Sequence, residues 1–108
     1  MATTSLDLSI VRDWNTFHDV SAQAFGFPDF YGRNMDAWID CLSYLEEGDG
    51  MCGFKLGTGE RLDVRLLGFE DFARRVPEIC TMLLMCTATV NLRYQESGDV
   101  PRVVLVPL

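Results

Sequence analysis

The sequence has little of what metal, membrane and nucleic-acid proteins depend on. Its four cysteines form no CxxC pair and are accompanied by one histidine, His18, whereas structural zinc sites use paired ligands at short spacing. The longest apolar stretch, residues 79–90, is interrupted by three threonines and falls short of the about 20 residues that a membrane helix needs. Bases number 9 against 16 acids, so the chain lacks the basic footprint of a phosphate binder. We therefore expect no metal, cofactor, membrane span or nucleic-acid ligand.

The amino end shows no secretory signal. The first five residues carry no base, and no apolar run follows them, although signal peptides need both. We therefore expect a cytoplasmic protein whose thiols are reduced. The 108 residues contain no repeat, linker or low-complexity tract, which predicts one domain over residues 1–108.

Hydrophobic periodicity predicts strands that alternate with helices. The predicted strands are 6–10, 51–56, 61–67 and 102–106, with 51–56 and 61–67 joined as a pair by the turn at 57–60. The predicted helices are 14–25 after an Asp13 cap, 35–45 after an Asn34 cap, 69–75 and 77–94. Residues 87–90, Thr-Ala-Thr-Val, are also compatible with an extended segment in place of the end of this helix. This order is typical of a small α/β domain with a partly parallel sheet. His18 fits a packing or solvent-facing role on the first helix.

Most of the net charge of −7 lies in one segment. From Asp29 to Gly50, six acids face one base, Arg33, which gives a local charge of −5 in 22 residues. The charge is therefore a local feature and not a general property of the surface. It indicates either a solvated acidic face or a site for a cationic partner.

The predicted helix at 35–45 carries its acids in a pattern that folding alone does not favour. Asp36 and Asp40 are four residues apart, so like charges are neighbours on one face, at a cost of about 0.2–0.5 kcal/mol. No Lys or Arg occurs between Arg33 and Lys55 to relieve them. This arrangement indicates carboxylates that stand in for phosphates in a pocket lined by Arg or Lys.

Residues 27–42 resemble a known family. The stretch FPDFYGRNMDAWIDCL is similar to the barstar family, small bacterial intracellular inhibitors of secreted ribonucleases, with Tyr-Gly, Asn34, Asp36-Ala37 and Asp40-Cys41-Leu42 in register. The resemblance implies a three-stranded parallel sheet with packed helices, to which this chain adds the strand pair near 51–67. It also implies that Asp36 and Asp40 enter a nuclease active site and pair with its cations. The partner-binding residues that it implies are Phe30, Tyr31, Gly32, Asn34, Met35, Asp36, Ile39, Asp40, Ser43 and Tyr44.

The chain departs from the family pattern at several positions. Ile39 stands where tryptophan is usual, Arg33 where an acid is frequent, and Phe30 lacks a phenolic hydroxyl. A further acid from a late helix often contributes in the family, and Glu78 and Glu96 are the candidates here. These departures imply a partner that differs from the usual one.

Three functions are compatible with the residues. The first is an immunity-type inhibitor that occludes the active site of a basic secreted ribonuclease or related nuclease toxin. The second is a barstar-fold binding module for another cationic protein. The third, an enzyme with Cys41 as nucleophile beside Asp40, is disfavoured because a neighbouring carboxylate raises a thiol pKa. We expect a monomeric inhibitor that is not an enzyme.

Overall fold

A computed structural model describes residues 2–45, 52–53 and 55–108. In chain order, its elements are strand β1 (Ala2–Asp7), a 3-10 turn (Leu8–Ile10), helix α1 (Trp14–Phe25), helix α2 (Met35–Leu42), strand β2 (Leu62–Leu67), helix α3 (Phe69–Arg75), helix α4 (Pro77–Glu96) and strand β3 (Val103–Pro107).

The strands form one parallel sheet in the order β1-β2-β3. Leu6 of β1 lies opposite Leu66 of β2, and Leu66 lies opposite Pro107 of β3. Along β2, Leu62, Val64 and Leu66 are fully buried, while the alternate residues are half-buried or exposed. The predicted α/β class and the three-stranded parallel sheet are confirmed.

The added strand pair is not present as predicted. The strand predicted at 61–67 is β2 itself, and both of its edges are occupied by β1 and β3, so it has no edge left for a hairpin partner. Of the predicted strand 51–56, residues 51 and 54 lie outside the described residues, and the others do not form a strand. The segment 57–60, which leads to β2, is instead held by buried Arg102. Its guanidinium donates to the carbonyls of Gly57 (3.1 Å) and Glu60 (3.1 Å).

The first strand is shifted towards the amino end relative to the prediction for 6–10. It ends at Asp7, whose carboxylate accepts a hydrogen bond from the Ser9 amide at 3.2 Å. An aspartate that binds a backbone amide two residues on favours a turn over a strand, and Leu8–Ile10 accordingly forms a 3-10 turn.

Helix starts follow the sequence closely. Asp13 caps α1 by accepting from the Thr16 amide at 2.9 Å, and Pro77 opens α4 at a position where its missing N–H costs nothing. Residues 87–90 are helical within α4, so the extended alternative is not adopted. The helix predicted at 77–94 runs two residues further, to Glu96.

Helix α2 is shorter than predicted, since it ends at Leu42 and not at 45. The cause is Tyr94 of α4, whose buried hydroxyl donates to the Leu42 carbonyl at 2.7 Å and accepts from the Leu45 amide at 3.1 Å. Burial raises the pKa of Tyr94 to about 12, so the hydroxyl keeps its proton for this role. Trp38 anchors α2 in the core and donates to the Ser21 hydroxyl of α1 at 3.3 Å.

Candidate functional site

The start of α2 is built by Asn34. Its side-chain oxygen accepts from the Ala37 amide at 2.8 Å, and its side-chain nitrogen donates to the Gly32 carbonyl at 3.2 Å. Asp36 then falls in the first turn of the helix, where the helix dipole stabilises a negative charge. Asp36 is therefore better placed for folding than the sequence pattern indicates.

Asp40 has a counter-ion that comes from another helix. The Arg93 guanidinium of α4 donates to the Asp40 carboxylate at 2.8 Å and to the Ser43 hydroxyl at 3.2 Å. No base close in sequence relieves the acidic face, as the sequence indicates, but Arg93 supplies one from a distant part of the chain. Arg93 is the functional candidate that the sequence analysis missed. The available signal was weak: it is the sole base between Arg75 and Arg102, but nothing local places it beside α2.

The helices α2 and α4 lie side by side and run in the same direction. Met35, the first residue of α2, and Met82 of α4 line the same cavity. Asp40, further along α2, meets Arg93 one turn before the end of α4. Arg93 of α4 therefore lies beside the acidic stripe that Asp36 and Asp40 form on α2.

The loop before α2 is held by two contacts with α1. Tyr31 is buried, and its hydroxyl lies 2.6 Å from Nδ1 of buried His18. Arg33 adopts a left-handed backbone, φ 54°, and donates to the Asp19 carboxylate and the Asn15 carbonyl, both at 2.9 Å. Burial and, secondarily, the Arg33 charge lower the pKa of His18, while burial raises that of Tyr31. Of the packing and solvent-facing roles predicted for His18, the structure shows the packing one.

Most of the predicted partner-binding residues are on the surface. Phe30 is 74% exposed, an unusual state for a phenylalanine, and Tyr44 is also exposed. The other exposed residues of the set are Gly32, Asn34, Asp36 and Asp40, and the half-buried ones are Met35 and Ser43.

Two residues of the set do not reach the surface to any useful extent. Tyr31 and Ile39 are each only 9% exposed and belong to the core cluster. Tyr31 holds the loop through His18, and Ile39 lies on the inner side of α2, with its carbonyl accepting from the Ser43 hydroxyl at 2.6 Å. In the free protein they support the exposed residues, and their direct contact with a partner stays a prediction.

The two candidate late-helix acids lie at opposite ends of α4. Glu96 is the last residue of the helix, three positions after Arg93, so the two side chains share a face. Glu78 is in the first turn, about 23 Å from Arg93 along the axis. Of the two acids, Glu96 is therefore the closer to Arg93 and Asp40 and the better placed to join a contact made there. Glu46, Glu47 and Asp49, the remaining acids of the segment, lie outside the described residues.

Other site chemistries find no support in the described part of the chain. Among residues 2–45, 52–53 and 55–108, no group of three or more His, Cys, Asp or Glu side chains could hold a metal ion. No helix within those ranges is long and apolar enough to cross a membrane.

Comparison with known proteins identifies the family. The chain matches the family model described as "Barstar (barnase inhibitor)" over residues 1–106. Because the match covers nearly the whole chain, the protein belongs to the barstar family. No curated protein matches the sequence. Barstar-family proteins are inhibitors that bind a ribonuclease.

Proposed function

We propose that this protein inhibits a basic ribonuclease, or a related nuclease toxin, by covering its active site with the acidic face of α2. The observation that carries the proposal is the pair Asp36 and Asp40, both exposed on one face of a helix in a barstar-family chain. Clefts that bind phosphate offer Arg and Lys side chains, and these bind a carboxylate by the same charge-assisted hydrogen bonds.

Phe30 supports the same surface. It lies in the loop that leads into α2, and its ring is largely exposed. Burying such a ring in a partner contributes through its apolar area, and aromatic residues are enriched in protein interfaces. The loop is fixed through Tyr31 and Arg33, so little conformational freedom is lost when the ring is covered.

The protein acts in this proposal as an immunity-type binder without catalysis. The thiol of the enzyme alternative, Cys41, is only 2% exposed, so a substrate has no access to it. Inhibition by occlusion needs only a stable complex, and the acidic face would also speed encounter with a basic partner at low salt.

The test is inhibition of barnase, with RNA cleavage as the readout. We expect added protein to abolish cleavage stoichiometrically, and the double variant Asp36→Asn/Asp40→Asn to lose that inhibition. Glu70→Gln is the control for the loss of an exposed acid as such, because it removes one from α3, away from α2. Full cleavage in the presence of wild-type protein, or inhibition that survives in the double variant, would contradict the proposal.

One observation favours a second candidate, a barstar-fold module for a different cationic protein. Arg93 occupies one oxygen of Asp40, so the face is not purely acidic, and it also fits a cationic protein that offers an acceptor to Arg93 beside its own cation. Capture of a non-nuclease partner that depends on Asp40, together with no effect on RNA cleavage, would support this candidate.

A further inference from the structure

The acidic face carries its own cation at one edge. Arg93 projects from the last turns of α4 and bonds to both Asp40 and Ser43. The Asp40–Arg93 pair is open to solvent, with the two side chains 53% and 47% exposed. A partner that approaches Asp40 therefore meets Arg93 as well.

Arg33, the other base of this region, is arranged differently. Its guanidinium is turned to α1, where it bonds with Asp19 and the Asn15 carbonyl. Its charge is compensated away from the stripe formed by Asp36 and Asp40. The pairing of Arg93 with Asp40 thus places the positive charge within the predicted contact and not beside it.

We propose that Arg93 is a specificity-determining residue that competes with the partner's cation for Asp40. This inference rests on the proposed function. A partner cation that binds Asp40 must displace Arg93 or lie beside it, and two positive charges in a desolvated contact repel each other. The surface fits a partner that presents an acceptor, such as a carboxylate, to Arg93 next to the cation meant for Asp40. It disfavours a uniformly basic cleft.

The test compares wild-type protein with Arg93→Gln against two probes, barnase and an arginine-rich peptide. Arg93→Gln keeps a side chain of moderate length and polarity but removes the charge. We expect it to lower the Kd for both probes by about three- to tenfold. The substitution frees Asp40 from a weak, exposed ion pair, and it also removes the repulsion between Arg93 and the cations of the probe. In an Asp40→Asn background, the same change should lower the Kd by a smaller factor than in the wild type, because the competition for Asp40 is absent and only the loss of repulsion remains.

Arg74→Gln is the matched control. It removes one exposed base in the last turn of α3 and so makes the same change in net charge away from α2. Its effect on the Kd measures the general gain from a more negative protein, and the gain from Arg93→Gln must exceed it. Thermal unfolding of each variant checks that the fold is retained.

Each outcome separates the inference from the proposed function. An equal or higher Kd for Arg93→Gln with both probes would overturn the inference. Tighter peptide binding together with no binding of barnase by either protein would keep the role of Arg93 and reject barnase inhibition. An unchanged Kd for both probes, with barnase inhibited by both proteins, would keep the proposed function and reject the role of Arg93.

Discussion

Asp40→Asn should separate a binding role from a structural one. In the free protein, the substitution removes the charge that pairs with Arg93 across 2.8 Å. Because the two side chains are about half exposed, such a pair contributes about 0.2–1 kcal/mol. The substitution also removes the repulsion from Asp36 four residues earlier, which returns about 0.2–0.5 kcal/mol. The net change in unfolding free energy should therefore stay below about 1 kcal/mol.

The effect of the same substitution on the complex should be much larger. Truncating one partner of a desolvated charge pair costs about 2–5 kcal/mol in complexes that include barnase with barstar. At about 1.4 kcal/mol per tenfold change, the Kd rises about 30-fold to several thousand-fold. The assays are urea unfolding for the free protein and surface plasmon resonance for the kinetics of binding to barnase.

Two results would refute this reasoning. A loss of unfolding free energy above about 2 kcal/mol would show that the ion pair stabilises the fold more than a half-exposed pair should. A Kd within a few-fold of wild type, with stability unchanged, would show that Asp40 lies outside the contact. The dissociation rate should carry most of the change, whereas added salt should slow association of the wild type.

Three further predictions concern the scaffold. Burial lowers the pKa of His18 in the folded protein. Below the ordinary histidine pKa of about 6.5, the unfolded chain therefore binds a proton that the folded protein does not bind. The unfolding free energy should therefore fall between pH 7 and pH 5.5 in urea titrations, and a His18→Gln variant that keeps the slope would contradict this. Tyr94→Phe should cost about 1–3 kcal/mol in the same assay, since the Leu42 carbonyl and Leu45 amide lose their partner; a loss under about 0.5 kcal/mol would count against it. Gly26→Ala should cost more than Gly98→Ala, as both have positive φ but only at Gly26 would a Cβ lie 2.9 Å from the Gly53 Cα, and equal melting temperatures would argue against that contact.

The local elements were accessible from the sequence because their signals are local. Asp13 and Asn34 cap the helices that they were expected to cap, since a side-chain oxygen meets an amide only three residues away. The helix over Phe69–Arg75 matches its predicted bounds. The exposure of Asp36 and Asp40 follows from their spacing on one helical face.

Contacts between residues distant in the chain decided the rest. β2 is central because β1 and β3 pair with its two edges, which no pattern within 51–67 could reveal. Helix α2 ends early because the hydroxyl of Tyr94, 52 residues after Leu42, donates a hydrogen bond to the Leu42 carbonyl. Tyr31 and Ile39 lie in the core because other elements cover them.

The chemistry of this protein follows from local features of its sequence: an acidic helix, capped by Asn34, within a small α/β chain that resembles the barstar family. The tertiary structure decided how that chemistry is presented. Arg93, 53 residues from Asp40 in the chain, enters the acidic face only because α4 packs along α2. Helical periodicity places side chains on a face of their own helix, but the counter-ion of an exposed carboxylate depends on which helix lies beside it.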